Sequence, residues 1–141
     1  MKEFNNYYDN ISTIELEELE KLIGARLPSD YKEHMLKFNG GKVPHDKDYI
    51  INYNNQDFFL SGFYTLKHGV SNIEDYYNNK HSFLYPKLLP IGVIVGGYLA
   101  LGYKEENYGE VYVYFSDSLP FKVANSFGAF IDNIEEQEAD I

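Results

Sequence analysis

Leu27-Pro28-Ser29-Asp30-Tyr31-Lys32-Glu33-His34-Met35-Leu36-Lys37-Phe38-Asn39-Gly40-Gly41 spells out the start, the buried face and the stop of one short helix. Pro28 suits a first helical position, where a missing N–H costs nothing. Asp30 and Glu33 place negative charge at the positive end of the helix dipole. Tyr31, Met35 and Phe38, spaced by four and three, share one face. Asn39-Gly40-Gly41 then supplies residues that tolerate the left-handed backbone on which helices end. The chemistry of this stretch is structural, and it contains no catalytic signature.

Upstream, Ser12 with Glu15 three residues later forms a capping-box pattern. Leu16, Leu19, Leu22 and Ile23 continue it as a helical stripe that stops at Gly24. The opposite face carries Glu15, Glu17, Glu18 and Glu20, a solvated surface first and a docking face second. Downstream, residues 42–48 are polar, contain Pro44 and read as a loop. Tyr49-Ile50-Ile51-Asn52-Tyr53 and Phe58-Phe59-Leu60-Ser61-Gly62-Phe63-Tyr64 read as a hairpin around the turn-like Asn54-Asn55-Gln56-Asp57. Ser71 and Glu74 repeat the capping box before a short helix carrying Ile73, Tyr76 and Tyr77 and ending at Asn78-Asn79-Lys80. Strands then resume. Residues 91–95 and 98–103 flank Gly96-Gly97, which suits a primed turn with both residues at positive φ, and 110–115 alternates strongly. Ser116-Asp117-Ser118-Leu119-Pro120 turns the chain into a short strand at 121–123, completing an antiparallel meander. Phe127, Phe130, Ile131 and Ile134 form a closing amphipathic helix, followed by an acidic tail at 135–140.

The 141 residues, 44% hydrophobic and 17% aromatic, suffice for one domain with a sizeable core, expected over residues 1–141. A formal charge of -10, from 22 acidic and 12 basic residues, repels phosphate backbones and anionic lipid surfaces and favours a basic protein partner. Nucleic acid and membrane are therefore not expected as direct partners. The absence of Cys removes disulfides and thiolate metal sites and suits a reducing cytoplasm. The N-terminal stretch has no secretory pattern, and no segment approaches the about 20 apolar residues that span a bilayer, so a cytoplasmic location is expected.

Catalytic motifs are missing. There is no Gly-x-Ser-x-Gly elbow, no His-Glu-x-x-His, no P-loop and no Gly-x-Gly-x-x-Gly. His45, Asp46 and Asp48 sit in one loop but lack the ligand count and glycine placement of a calcium site, so neither metal nor cofactor is expected. His34, His68 and His81 have no carboxylate partner at a diagnostic spacing. The 14 Tyr and 10 Phe, with no Trp, call for explanation. In residues 111–115 alternation puts Tyr112 and Tyr114 on the sheet face opposite Val111, Val113 and Phe115, one set in the core and the other outward or covered by a helix. Each tyrosine serves a packing reading and an interface reading equally. Beside so many carboxylates, the set as a whole has the makeup of an interface with aromatic anchors in a polar rim.

The order of these motifs resembles the SUKH superfamily, which includes fungal cell-wall assembly regulators and many bacterial toxin-immunity proteins. The capped first helix, Leu27-Pro28-Ser29-Asp30-Tyr31 and Asn39-Gly40-Gly41 carry the resemblance in the first half. Leu89-Pro90-Ile91-Gly92, the strand at 98–102, Gly109-Glu110-Val111-Tyr112 and Ala124-Asn125-Ser126-Phe127-Gly128-Ala129-Phe130-Ile131 carry it in the second, so that it covers about Ser12 to Ile134. Gly96-Gly97-Tyr98 stands where many such proteins have Gly-Asp, so an acidic contact there does not carry over. The resemblance implies an α+β fold, with helices packed beside a largely antiparallel sheet, and a non-catalytic immunity role against a toxin, often a nuclease.

The reading that follows is an antitoxin that binds a cognate basic nuclease domain. Asp46, Asp48, Asp57, Glu105, Glu106, Glu110 and Asp117 are its candidate carboxylates, and Tyr53, Tyr108 and Tyr112 its candidate anchors. A regulatory scaffold for an endogenous signalling or cell-wall protein is the alternative. A hydrolase using Glu105 and Glu110 ranks last, because nothing fixes their mutual geometry. Monomer and homodimer both remain open.

Overall fold

The capping box at Ser12 is formed: its Oγ accepts from the Glu15 backbone N–H, while the Glu15 carboxylate accepts from the Ser12 N–H at 3.1 Å. These bonds start helix α1 (Thr13–Ile23), which ends at Gly24 in the left-handed conformation (φ 71°). Leu16, Leu19 and Ile23 are buried as the stripe predicts, whereas Leu22 sits at its margin and is 41% exposed. The computed structural model describes residues 2–69, 72–79 and 87–139.

Helix α2 (Ser29–Phe38) buries Tyr31 and Met35 completely. Pro28 stands one position earlier than expected. With ψ at 142° it is the extended capping residue rather than the first helical one, and its carbonyl accepts the Lys32 N–H. Asn39 ends the helix at φ 41° and is fully buried. Its side-chain amide pairs with residue 66 much as a strand would: Nδ2 donates to the Leu66 carbonyl and Oδ1 accepts the Leu66 N–H at 2.8 Å. A third bond runs from Nδ2 to the Asp9 carbonyl. At Gly40 (φ 89°) a Cβ would lie 2.7 Å from the Phe63 and Tyr64 carbonyl oxygens, so only glycine lets α2 end this close to the sheet.

Strands β1 (Lys47–Tyr53) and β2 (Gln56–Phe63) form the expected hairpin, but its turn is the two residues Asn54 and Asn55 alone. Both take positive φ, 51° and 62°, which asparagine tolerates and a primed turn requires. Helix α3 (Ile73–Asn78) is capped by the Asn72 side chain, which accepts from the Asp75 N–H. The cap expected at Ser71 and the stop at Lys80 lie outside the described residues. Strands β3 (Leu88–Ile94) and β4 (Gly97–Gly102) turn through Val95 and Gly96, and only Gly96 adopts positive φ (84°). Gly97, expected in the turn, already pairs with Ile94. A Cβ on it would lie 2.7 Å from the Phe115 ring, so its glycine serves close approach. Strands β5 (Val111–Tyr114) and β6 (Phe121–Ala124) and helix α4 (Phe127–Asn133) follow.

The expected acidic tail is instead strand β7 (Glu135–Glu138), which pairs antiparallel with β1 and draws the last residues of the supposed 42–48 loop into the sheet. All four of its residues are exposed, so no apolar alternation marks it, and its partner strand supplies the stability. Strand order is β6-β5-β4-β3-β2-β1-β7, every neighbouring pair antiparallel. In a flat sheet with strands about 4.8 Å apart, β1 and β6 would be about 24 Å distant. The Tyr53 and Phe121 rings nevertheless stack with centroids 5.3 Å apart, so the sheet curls until its ends approach. Leu99, Leu101, Val111 and Val113 line the main core with Tyr31, Met35, Phe127 and Phe130 of the helices. Tyr114 belongs to a second, smaller cluster on the opposite face with Leu88 and Ala100, against which the half-buried Tyr98 and Tyr112 pack. The facial split expected for residues 111–115 is thus realised.

Candidate functional site

Side chains of α2, α4, the N-terminal segment and β7 enclose a groove of about 640 Å³. Asp30 joins its two walls: one carboxylate oxygen accepts the Tyr31 N–H, and the other accepts the Gly128 N–H at 2.9 Å, fixing the start of α4 to the start of α2. The floor is aromatic and aliphatic, made by Phe4, Phe38, Phe127 and Ile131 around His34. The His34 ring lies about 5 Å from four phenylalanine rings, those of Phe4, Phe38, Phe63 and Phe127. Asp30, Glu33, Asp132 and Glu136 stand around this floor with Lys2 and Lys37, and Lys47 pairs with Glu136 from β1 at 3.5 Å, so among the described residues the groove is apolar below and net acidic above.

His34 is not built as a catalytic base. Its Nε2 lies 2.7 Å from the Gly40 carbonyl, which can only accept, so that nitrogen carries a proton. Burial pushes its pKa down to about 4; the Gly40 carbonyl opposes the shift and the Lys37 ammonium adds to it. The imidazole is therefore neutral at physiological pH and serves as a wall. An apolar floor below four carboxylates favours a cationic, partly apolar guest.

The ten residues singled out from sequence fall into three places. Tyr53, Asp57 and Asp117 share the end of the sheet that holds the β1–β2 and β5–β6 turns. There Tyr53 stacks on Phe121, Asp57 accepts from the Asn52 amide at 2.8 Å, and Val95 and Leu119 are 69% and 80% exposed. Glu105, Glu106, Tyr108, Glu110 and Tyr112 gather along the β4–β5 connection and its outgoing strand. Asp46 and Asp48 stand at the opening of β1, where the Asp46 carbonyl accepts the Ala139 N–H.

Several of these side chains already have partners. Tyr112 donates its hydroxyl to Glu110 at 2.6 Å and Lys122 reaches the same carboxylate at 3.2 Å, which together hold the Glu110 carboxyl below its ordinary value. Burial and the Glu110 carboxylate push Tyr112 up to about 12. Glu106 lies 3.5 Å from Lys87. Tyr108 instead borders a shallower cleft with Arg26, Leu27, Pro28 and Lys32. Among the described residues no group of three or more His, Asp or Glu is placed to hold a metal ion, and no helix is long and apolar enough to cross a membrane.

Sequence reasoning placed Asp30 and Glu33 in α2 and Glu136 in the tail, but did not join them to Asp132 in one groove. The helical stripes hint at which faces are buried. Only the path of the chain shows that the polar flanks of α2 and α4 border one opening.

Comparison with known protein families gives a match to the SMI1 / KNR4 family (SUKH-1) over residues 10–133. No curated protein matches the chain.

Proposed function

The chain belongs to the SMI1 / KNR4 family (SUKH-1), whose members generally act as non-enzymatic binding domains, and from that premise we propose that it is an immunity protein which neutralises a basic toxin domain by binding it. The observation that carries this reading is the groove between α2 and α4, with its aromatic floor and four carboxylates. A nuclease is the fitting target, because a surface that binds phosphates is cationic and a negatively charged protein competes for it. With a net charge of -10, capture would be steered electrostatically, an effect that can raise association rates up to about 10^8 to 10^9 per molar per second at low salt. Apolar contacts on the groove floor would then slow release. The same reading places the protein in the cytoplasm of the toxin-producing cell.

A toxin gene adjacent to this one is expected. Coexpression of the two in a host that the toxin arrests tests the reading: growth is restored and the purified proteins elute as one complex. Continued arrest, with no complex between well-folded partners, overturns it.

A further inference from the structure

Resting on that reading of a basic partner, we propose that the free edge of β7 is a pairing site, at which an extended Lys- or Arg-bearing segment of the partner adds to the sheet as an eighth strand. The Ala139 N–H donates to the Asp46 carbonyl at 3.0 Å, and this pair continues the β1–β7 register. In an antiparallel ladder, residues bonded to the neighbouring strand alternate with residues that turn their backbone groups away. Gln137 and Glu135 therefore bond β1, and Glu136 and Glu138 point N–H and C=O outward. Among the described residues none bonds these outward groups, and β7 ends the strand order. At the other end of the sheet, β6 has α4 packed against it.

Natural sheet edges are blunted by short strands, charged side chains, Pro or a bulge. β7 is four residues long and carries three carboxylates, Glu135, Glu136 and Glu138, so it is blunted by charge of one sign. That choice discriminates between occupants. A second copy pairing through β7 would bring three carboxylates against three, which like-charge cross-strand pairing disfavours. A strand with alternate basic side chains meets complementary charge. Among the described residues Lys47 is the cation paired with Glu136 and Glu138, at 3.5 and 2.6 Å, so the three carboxylates of the edge keep net negative charge. Glu136 also lines the groove, so side chains of an incoming strand on that face extend toward the aromatic floor. Backbone pairing and groove filling thus become two parts of one contact.

The experiment uses the full chain, isotopically labelled, with a synthetic peptide of alternating Lys and Thr. A control peptide has the same sequence and charge, with alternate backbone amides N-methylated so that it cannot pair. Amide hydrogen exchange of Glu136 and Glu138 is expected to slow at least tenfold with the first peptide and to stay unchanged with the second. Equal protection by both peptides, protection only elsewhere, or no binding overturns the proposal. Concentration-dependent protection of these amides without peptide does so too, since a second copy would then occupy the edge. The toxin reading falls separately: if coexpression rescues growth while the peptide fails to pair, only the edge proposal is lost.

Discussion

Replacing Asn39 tests the central structural argument, because one side chain closes two buried hydrogen bonds to Leu66 and a partly buried one to Asp9, joining segments far apart in sequence. Asn39→Gly keeps the left-handed backbone available but leaves the Asp9 carbonyl and both backbone groups of Leu66 without their partner. With each buried unsatisfied group worth about 1–3 kcal/mol and some relaxation allowed, the loss is about 3–5 kcal/mol. Asn39→Ala adds about 1 kcal/mol more, since alanine resists positive φ. Asn39→Asp is the sharpest variant: at neutral pH it keeps an acceptor for the Leu66 N–H but turns a carboxylate oxygen toward two carbonyl oxygens in a fully buried site. It should be the least stable of the three at pH 7 and regain stability as the new carboxyl protonates. Urea denaturation followed by circular dichroism gives all three values. A loss below about 1 kcal/mol for Asn39→Gly, at unchanged denaturant slope, would refute the reasoning, because each abandoned group alone should cost that much.

Other predictions follow from the same geometry. His34 has a folded-state pKa depressed from 6.5 to about 4, so the unfolded chain binds its proton first as pH falls. Stability from this group is complete above pH 6.5 and lost on descending to about pH 4, by up to about 3 kcal/mol. His34→Gln should flatten that part of the stability–pH profile relative to wild type, and parallel profiles would contradict the assignment. Tyr53→Ala removes the stack that joins β1 to β6 and should cost about 1–2 kcal/mol in thermal or urea unfolding. Reversing Glu33 and Asp132 to Lys together should slow association with the toxin domain at least tenfold at low salt in stopped-flow mixing, with the difference fading at high salt. An unchanged low-salt rate would remove the groove from the encounter surface.

The fold was legible where local chemistry and tertiary packing agree. Ser12, Glu15 and Gly24 bound α1 by bonds within a few residues, and the alternation at 111–115 announces two faces that both find a core. It was illegible where the partner lies far along the chain. β7 has no apolar residue to mark it and exists because β1 offers a free edge, with Lys47 between Glu136 and Glu138. The turn at Val95 and Gly96 shows a subtler limit: two adjacent glycines look alike in sequence, yet one answers to φ and the other to the Phe115 ring. The candidate site was legible only in kind. Acidity and aromatics pointed to a basic partner, but the ten residues singled out occupy three regions, because exposure and charge say nothing about which loops the curled sheet brings together.

The groove and the motif from Leu27 to Gly41 have a common physical origin. Asn39 fixes the end of α2 against residue 66, and a Cβ on Gly41 would lie 2.8 Å from that of Phe4, so this glycine lets the N-terminal segment cross directly over the helix end. That crossing sets Phe4 edge-on against His34, Phe38 and Tyr49, and Phe4, His34 and Phe38 form the floor with Phe127. At the other end of α2, Asp30 holds the second wall through the Gly128 N–H. Residues that shape the floor therefore also carry fold stability and have little freedom to vary. Glu33 and Asp132 border the same opening as exposed side chains with no part in the core, whereas Glu136 also pairs with Lys47 of β1. On the proposed immunity reading, specificity for one toxin over another would belong to that rim and to the adjoining β7 edge, while the aromatic floor would supply apolar contact to any partner that reaches it.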